Sequence, residues 1–77
     1  MGNFRPLPLK CWEAYLLLNG YTKKRISSSH HQWTKVGFRT IPVWGDEKEV
    51  PALHLKTGCF TLGITLGILY EWAKENC

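Results

Sequence analysis

The chain has 77 residues, 44% of them apolar and 21% charged. That is the size and balance of one small globular domain, and it excludes a disordered tail, a collagen-like repeat and a coiled coil. The formal net charge of +4 is unevenly spread: up to Trp44 seven lysines and arginines face Glu13 alone, whereas the remainder carries three lysines against five carboxylates.

Residues 1–8 contain Pro6 and Pro8 and read as an extended lead-in. From Pro8, which suits the first turn of a helix, Cys11, Ala14, Tyr15 and Leu18 recur at the spacing of one helical face. Leu16 and Leu17 widen that stripe, and Asn19-Gly20 ends it, with Gly20 suited to a left-handed C-terminal cap. An amphipathic helix is therefore predicted over residues 8–19. Three short strands follow: Tyr21 to Ile26, His30 to Val36 and Phe38 to Trp44, with a serine-rich turn before the second and Gly37 as a tight connection before the third. Pro42 demotes the third strand to a sheet edge or a bulge, and an edge offers dimerisation through strand pairing. Residues 45–49 read as a charged loop and 51–55 as an irregular bridge. Thr57 to Asn76 is predicted helical but interrupted by glycines, giving a short helix, a break and a final helical extension over 69–77.

The fold expected is a single α+β domain of order α-β-β-β-α(α), a three-stranded antiparallel sheet with helices packed on one face. Trp12, Trp33 and Trp72 are assigned to the core and Trp44 to a more exposed position, for stacking on a base or docking a partner. The three cysteines, Cys11, Cys59 and Cys77, are odd in number and lack C-x-x-C spacing, so they are expected as reduced thiols in a cytoplasmic protein, Cys77 free at the terminus. A zinc site of Cys11, Cys59 and a histidine has no motif behind it. The apolar runs are too short to cross a bilayer, and the opening residues lack the pattern of a secretory signal. No cofactor-binding motif appears, and none is expected.

One local constellation carries chemical character, Ser28-Ser29-His30-His31-Gln32-Trp33. Alternation along a strand sends His30 and Gln32 to one face and His31, Trp33 and Lys35 to the other. Trp33 belongs against the helices, which leaves His30 and Gln32 on the open face. Lys23 or Arg25, on one face of the first strand, are expected to join them. Cations beside an imidazole suit RNA: the cations neutralise phosphate, imidazoles exchange protons near neutral pH, and the ribose 2′-hydroxyl is a built-in nucleophile. Each of His30, His31 and His54 also has an ordinary reading, as an exposed strand residue, a half-buried one and a loop residue.

The chain resembles the HicA family, small toxins of bacterial toxin–antitoxin systems with a double-stranded-RNA-binding-like fold. The matching pieces are Leu16-Leu17-Leu18-Asn19-Gly20-Tyr21, Ser29-His30-His31-Gln32-Trp33, Arg39-Thr40-Ile41-Pro42 and Leu55-Lys56-Thr57-Gly58, in family order over roughly residues 10 to 68. The resemblance implies an endoribonuclease that cuts mRNA without a metal, and a HicB-like antitoxin as partner. It implies His30 as the catalytic histidine, with Ser28 and Ser29 at the two positions before it. Lys23, Arg25, Ser28, Ser29, Gln32 and Lys35 are the candidate RNA contacts, Lys35 being the one that shares the face of Trp33. The chain departs from the family pattern at Ser28, where the family has glycine, and at Val43, where many members have histidine. It also departs at Phe60, Thr61 and Gly63, where members usually carry basic residues. A non-catalytic RNA-binding module, or a protein-interaction domain, of the same fold is the alternative.

Overall fold

In the computed structural model, residues 5–25, 29–45 and 48–77 are described. The elements run β1 (Leu7–Pro8), α1 (Leu9–Leu18), β2 (Thr22–Arg25), β3 (His30–Thr34), β4 (Ile41–Trp44), β5 (Glu49–Val50), α2 (Ala52–Leu62) and α3 (Leu66–Asn76). β2, β3 and β4 form an antiparallel sheet in that order. Pro42 does lie on an edge strand, as a residue with no backbone N–H should.

The lead-in does more than the sequence suggested. Leu7 and Pro8 pair with Val50 and Glu49 in a separate two-stranded ladder, and the Leu9 N–H donates to the Lys48 carbonyl at 2.9 Å. Part of the expected charged loop is thus a strand, while Asp46 and Glu47 lie outside the described residues. The expected irregular bridge is the start of α2: Pro51 sits at its N-cap, where a missing N–H costs nothing because the first helical donors have no partner in any case.

Both α1 and α2 end in the same way. After α1, Gly20 takes φ +86° while its N–H and that of Tyr21 reach the carbonyls of Leu17 and Leu16 at 3.0 Å. After α2, Gly63 takes φ +77°, with the Gly63 and Ile64 N–H groups on the carbonyls of Phe60 and Cys59. This is the Schellman arrangement, which satisfies the last carbonyls and needs a residue without a Cβ penalty at the left-handed position. The glycine break expected near the C-terminus is this cap, and Thr65 starts α3 by accepting from the Ile68 N–H at 3.3 Å.

The core joins α1 to the sheet and to α3. Trp12, Leu16, Tyr21, Trp33, Leu55 and Leu69 are each no more than 2% exposed. The buried stripe of α1 is Cys11, Trp12, Tyr15 and Leu16, so the stripe inferred from spacing is displaced: Ala14 and Leu18 face solvent, and Leu17 with them. The run Leu16-Leu17-Leu18 has no polar break to choose a face, and the large area of Trp12 decides it. Gly58 of α2 lies against the Trp12 ring, so closely that a Cβ there would overlap the indole. That contact sets α2 down on α1. Trp72 is half-buried, its ring edge-on to Tyr15 at 4.9 Å.

Cys11 is bonded to Cys77 across a separation of 66 residues, which corrects the expectation of three reduced thiols and removes Cys11 as a zinc ligand. Spacing rules miss this pair because the C-terminus comes back to α1 only through the packing of α3. Cys59 is the free thiol; it is buried, and burial pushes its pKa from 9.0 up to about 11. Among the described residues no single helix is long and apolar enough to cross a membrane.

Candidate functional site

β3 is the central strand, so its side chains alternate between a covered and an open face. Trp33 is 2% exposed in the core and the His31 side chain 12% exposed, whereas His30 and Gln32 face solvent. The alternation inferred from sequence is therefore correct along β3. Ser29 lies just before the strand, half-buried, and its carbonyl accepts from the Gly45 N–H at 2.8 Å. Ser28 lies outside the described residues.

The cations do not follow the expected arrangement. The β2–β3 register sets Lys23 opposite Trp33 and Lys24 opposite Gln32, and cross-strand partners share a face. Lys24, exposed, is thus the lysine on the open face. Lys23 belongs to the covered side, where its ammonium reaches out past the sheet edge to within 4.0 Å of Glu13 Oε2. Arg25 stands opposite His31 in the register; its side chain lies outside what is described. Lys35 is engaged in the fold: its ammonium donates to the Asn19 carbonyl at 2.8 Å and sits 4.5 Å from the Phe38 ring centre. It thereby neutralises the negative end of α1. His31 faces Glu13, with Nδ1 3.8 Å from Oε2, longer than a hydrogen bond. Gly45 closes over the His31 ring, where a Cβ would overlap the imidazole. This half-buried group links α1 to the strands and reads as structural.

On the open side three aromatic rings meet. His30 is opposite Trp44 in the β3–β4 register, and their rings are edge-on with centres 5.7 Å apart. The other ring against Trp44 is His54, stacked at 5.0 Å and 26°. His54 is on α2, not in a loop, and it has a partner that the sequence did not reveal. Helical spacing from Pro51 places His54, Thr57, Gly58 and Thr61 toward β4. Between β4 and α2 lies a groove of about 240 Å³, bordered by Thr40, Pro42, Trp44, His54, Thr57 and Thr61. The open face thus combines an accessible imidazole, an amide, a lysine and a grooved aromatic edge. Among the described residues no cluster of three or more His, Cys, Asp or Glu is placed to hold a metal.

Two features of the open face were missed from sequence: Lys24 and the Trp44–His54 pair. The first needed the strand register, which a one-residue shift reverses. The pair needed the correct start of α2, for which Pro51 was the available signal. Searches against models of known protein families, curated proteins and solved structures found no match to this chain.

Proposed function

We propose that this protein is a HicA-like endoribonuclease, the toxin of a type II toxin–antitoxin pair, with a double-stranded-RNA-binding-like fold. The observation that carries the reading is that His30 is exposed on the same uncovered sheet face as Gln32 and Lys24. In the proposed reaction His30 takes the proton from a ribose 2′-hydroxyl. The 2′-oxygen then bonds to the adjacent phosphorus, and the bond from phosphorus to the 5′-oxygen breaks. The products are a 2′,3′-cyclic phosphate and a 5′-hydroxyl, the latter protonated by solvent or by the histidinium. Lys24 neutralises the phosphate, and Gln32 offers an amide to the sugar or phosphate. The reaction needs no cofactor, because the nucleophile comes with the substrate.

This reading places the protein in the cytoplasm with mRNA as substrate and a HicB-like antitoxin covering the open face. The Cys11–Cys77 bond runs against that location, since cytoplasmic thiols are kept reduced, so the reading requires a fold that stands without it. The test is induced expression of the wild type and His30→Ala, followed by growth and total mRNA, with purified protein incubated with labelled RNA in EDTA. Cleavage by the wild type and its loss in His30→Ala are expected; full cleavage by the variant removes His30 from the mechanism. A second reading, RNA binding without cleavage, draws on Val43. It stands where many family members have histidine, and it is 3% exposed within the core, so that position supplies no second imidazole. A shift in mobility without fragments decides for this second reading.

A further inference from the structure

We propose that Trp44 and His54 form a subsite for one unpaired base of a single-stranded RNA, immediately beside His30. The inference rests on the RNA reading above and specifies the form of RNA recognised. Two rings from different elements, the end of β4 and the first turn of α2, are already stacked at 5.0 Å, so no side chain has to be ordered when a base continues the stack. Bases offer a flat π-face whatever their sequence, which is why aromatic platforms recur in single-strand binding. The adjoining groove of about 240 Å³ is below the ~300–1,000 Å³ of pockets that enclose drug-sized ligands, a size for one ring system rather than a longer ligand.

Its lining chemistry fits a base better than a phosphate. The Thr57 hydroxyl donates to the Leu53 carbonyl at 3.1 Å and the Thr61 hydroxyl to the Thr57 carbonyl at 3.3 Å. Both hydroxyl oxygens therefore keep acceptor capacity for base N–H groups. Glu49 borders the recess on the other side of Trp44 and His54, where its carboxylate disfavours a phosphate beside the two rings. Lys24 lies on the same sheet face, in the row Lys24, Gln32 and Pro42, on the β2 side away from the groove. Charge thus orients the ligand, with phosphates over the β2–β3 side and the base at the β4–α2 edge. A base held in a duplex cannot reach such a groove without leaving its stack, so the substrate class is unpaired RNA.

The experiment uses the full chain and short labelled RNAs of mixed sequence with 2′-O-methyl riboses. These lack the nucleophile and stay intact whether or not the protein cleaves RNA. Anisotropy titrations compare the single strand with its duplex for wild type, Trp44→Phe, Trp44→Ala and His54→Ala, and circular dichroism confirms that each variant is folded. The expected result is tighter binding of the single strand, near-normal binding by Trp44→Phe, and weakening of roughly 5- to 150-fold in Trp44→Ala, the range that loss of one stacked base gives. If Trp44→Ala does not fold, His54→Ala and the NMR shifts of the Trp44 indole N–H on adding a mononucleotide carry the test. Single-strand binding unaffected by Trp44→Ala and His54→Ala, or preference for the duplex, overturns the subsite and leaves the RNA reading standing. Absence of binding to any RNA overturns both.

Discussion

His30 and Trp33 stand three residues apart on β3, one open to solvent and the other 2% exposed. The covered face to which Trp33 belongs is continuous with α1: Trp33, Ile41 and Val43 join Trp12 and Leu16 in one buried cluster. Among the described residues the open face gathers His30, Gln32, Lys24 and Trp44, and these add no fully buried residue to that core. Two sets of alternate residues on the same strands thus carry separate tasks. The covered set supplies the area removed from water, and the open set is left available for a ligand because the core does not depend on it. Substitutions on the two faces should therefore separate cleanly, one set reading out in stability and the other in function.

The largest effect is expected at Trp12, which is 1% exposed and sits directly on Gly58. Trp12→Ala should cost about 3–5 kcal/mol by leaving a cavity where α1, α2 and the sheet meet. A domain of this length has a total stability of order 5–15 kcal/mol, so the variant should unfold at much lower urea concentration than the wild type. Unchanged denaturation would mean that α2 is not held by α1, and the geometry of His54 against Trp44 would lose its support.

Next comes the bond from Cys11 to Cys77. Closing a loop of 66 residues restricts the unfolded chain, and Cys77→Ser should cost about 2–4 kcal/mol. Equal urea midpoints for Cys77→Ser and for reduced wild type would show that the loss comes from the cross-link rather than from the new side chain. The experiment also bears on function. A cytoplasmic nuclease has to remain folded after reduction, so collapse of the reduced protein would oppose that location.

What could be read from sequence divides along the same faces. The presence of three strands, the alternation of β3 and the edge position of β4 were legible because Trp33 and Pro42 each admit few alternatives, whereas β4 begins at Ile41 instead of Phe38 and the connection around Gly37 is longer than a tight turn. A glycine break before the last helix was legible, but its place was not: Gly58, Gly63 and Gly67 all offered one, and α3 begins at Leu66 rather than at 69. The buried stripe of α1 was misplaced, since three consecutive leucines fit several helical faces. The lysine of the open face was also misassigned: choosing Lys23 or Lys24 requires the pairing register, and no residue in β2 is apolar enough to announce which side is covered. The disulfide and the Trp44–His54 stack were invisible for a common reason. Each joins residues far apart in the chain, and only the packing of α2 and α3 brings them together.

The smallest stability effect is expected on the open face itself. His30→Ala removes an exposed ring that lies edge-on to Trp44 at 5.7 Å, so its cost should stay within about 1 kcal/mol, well below that of Trp12→Ala. Equilibrium urea unfolding of His30→Ala and Gln32→Ala beside the wild type measures this. The small cost has a use, because it makes any loss of RNA cleavage in His30→Ala attributable to the missing imidazole rather than to a damaged fold. A cost of the size expected for Trp12→Ala would mean that His30 is part of the framework. The division of labour between the two faces would then fail at the one residue on which the nuclease reading depends.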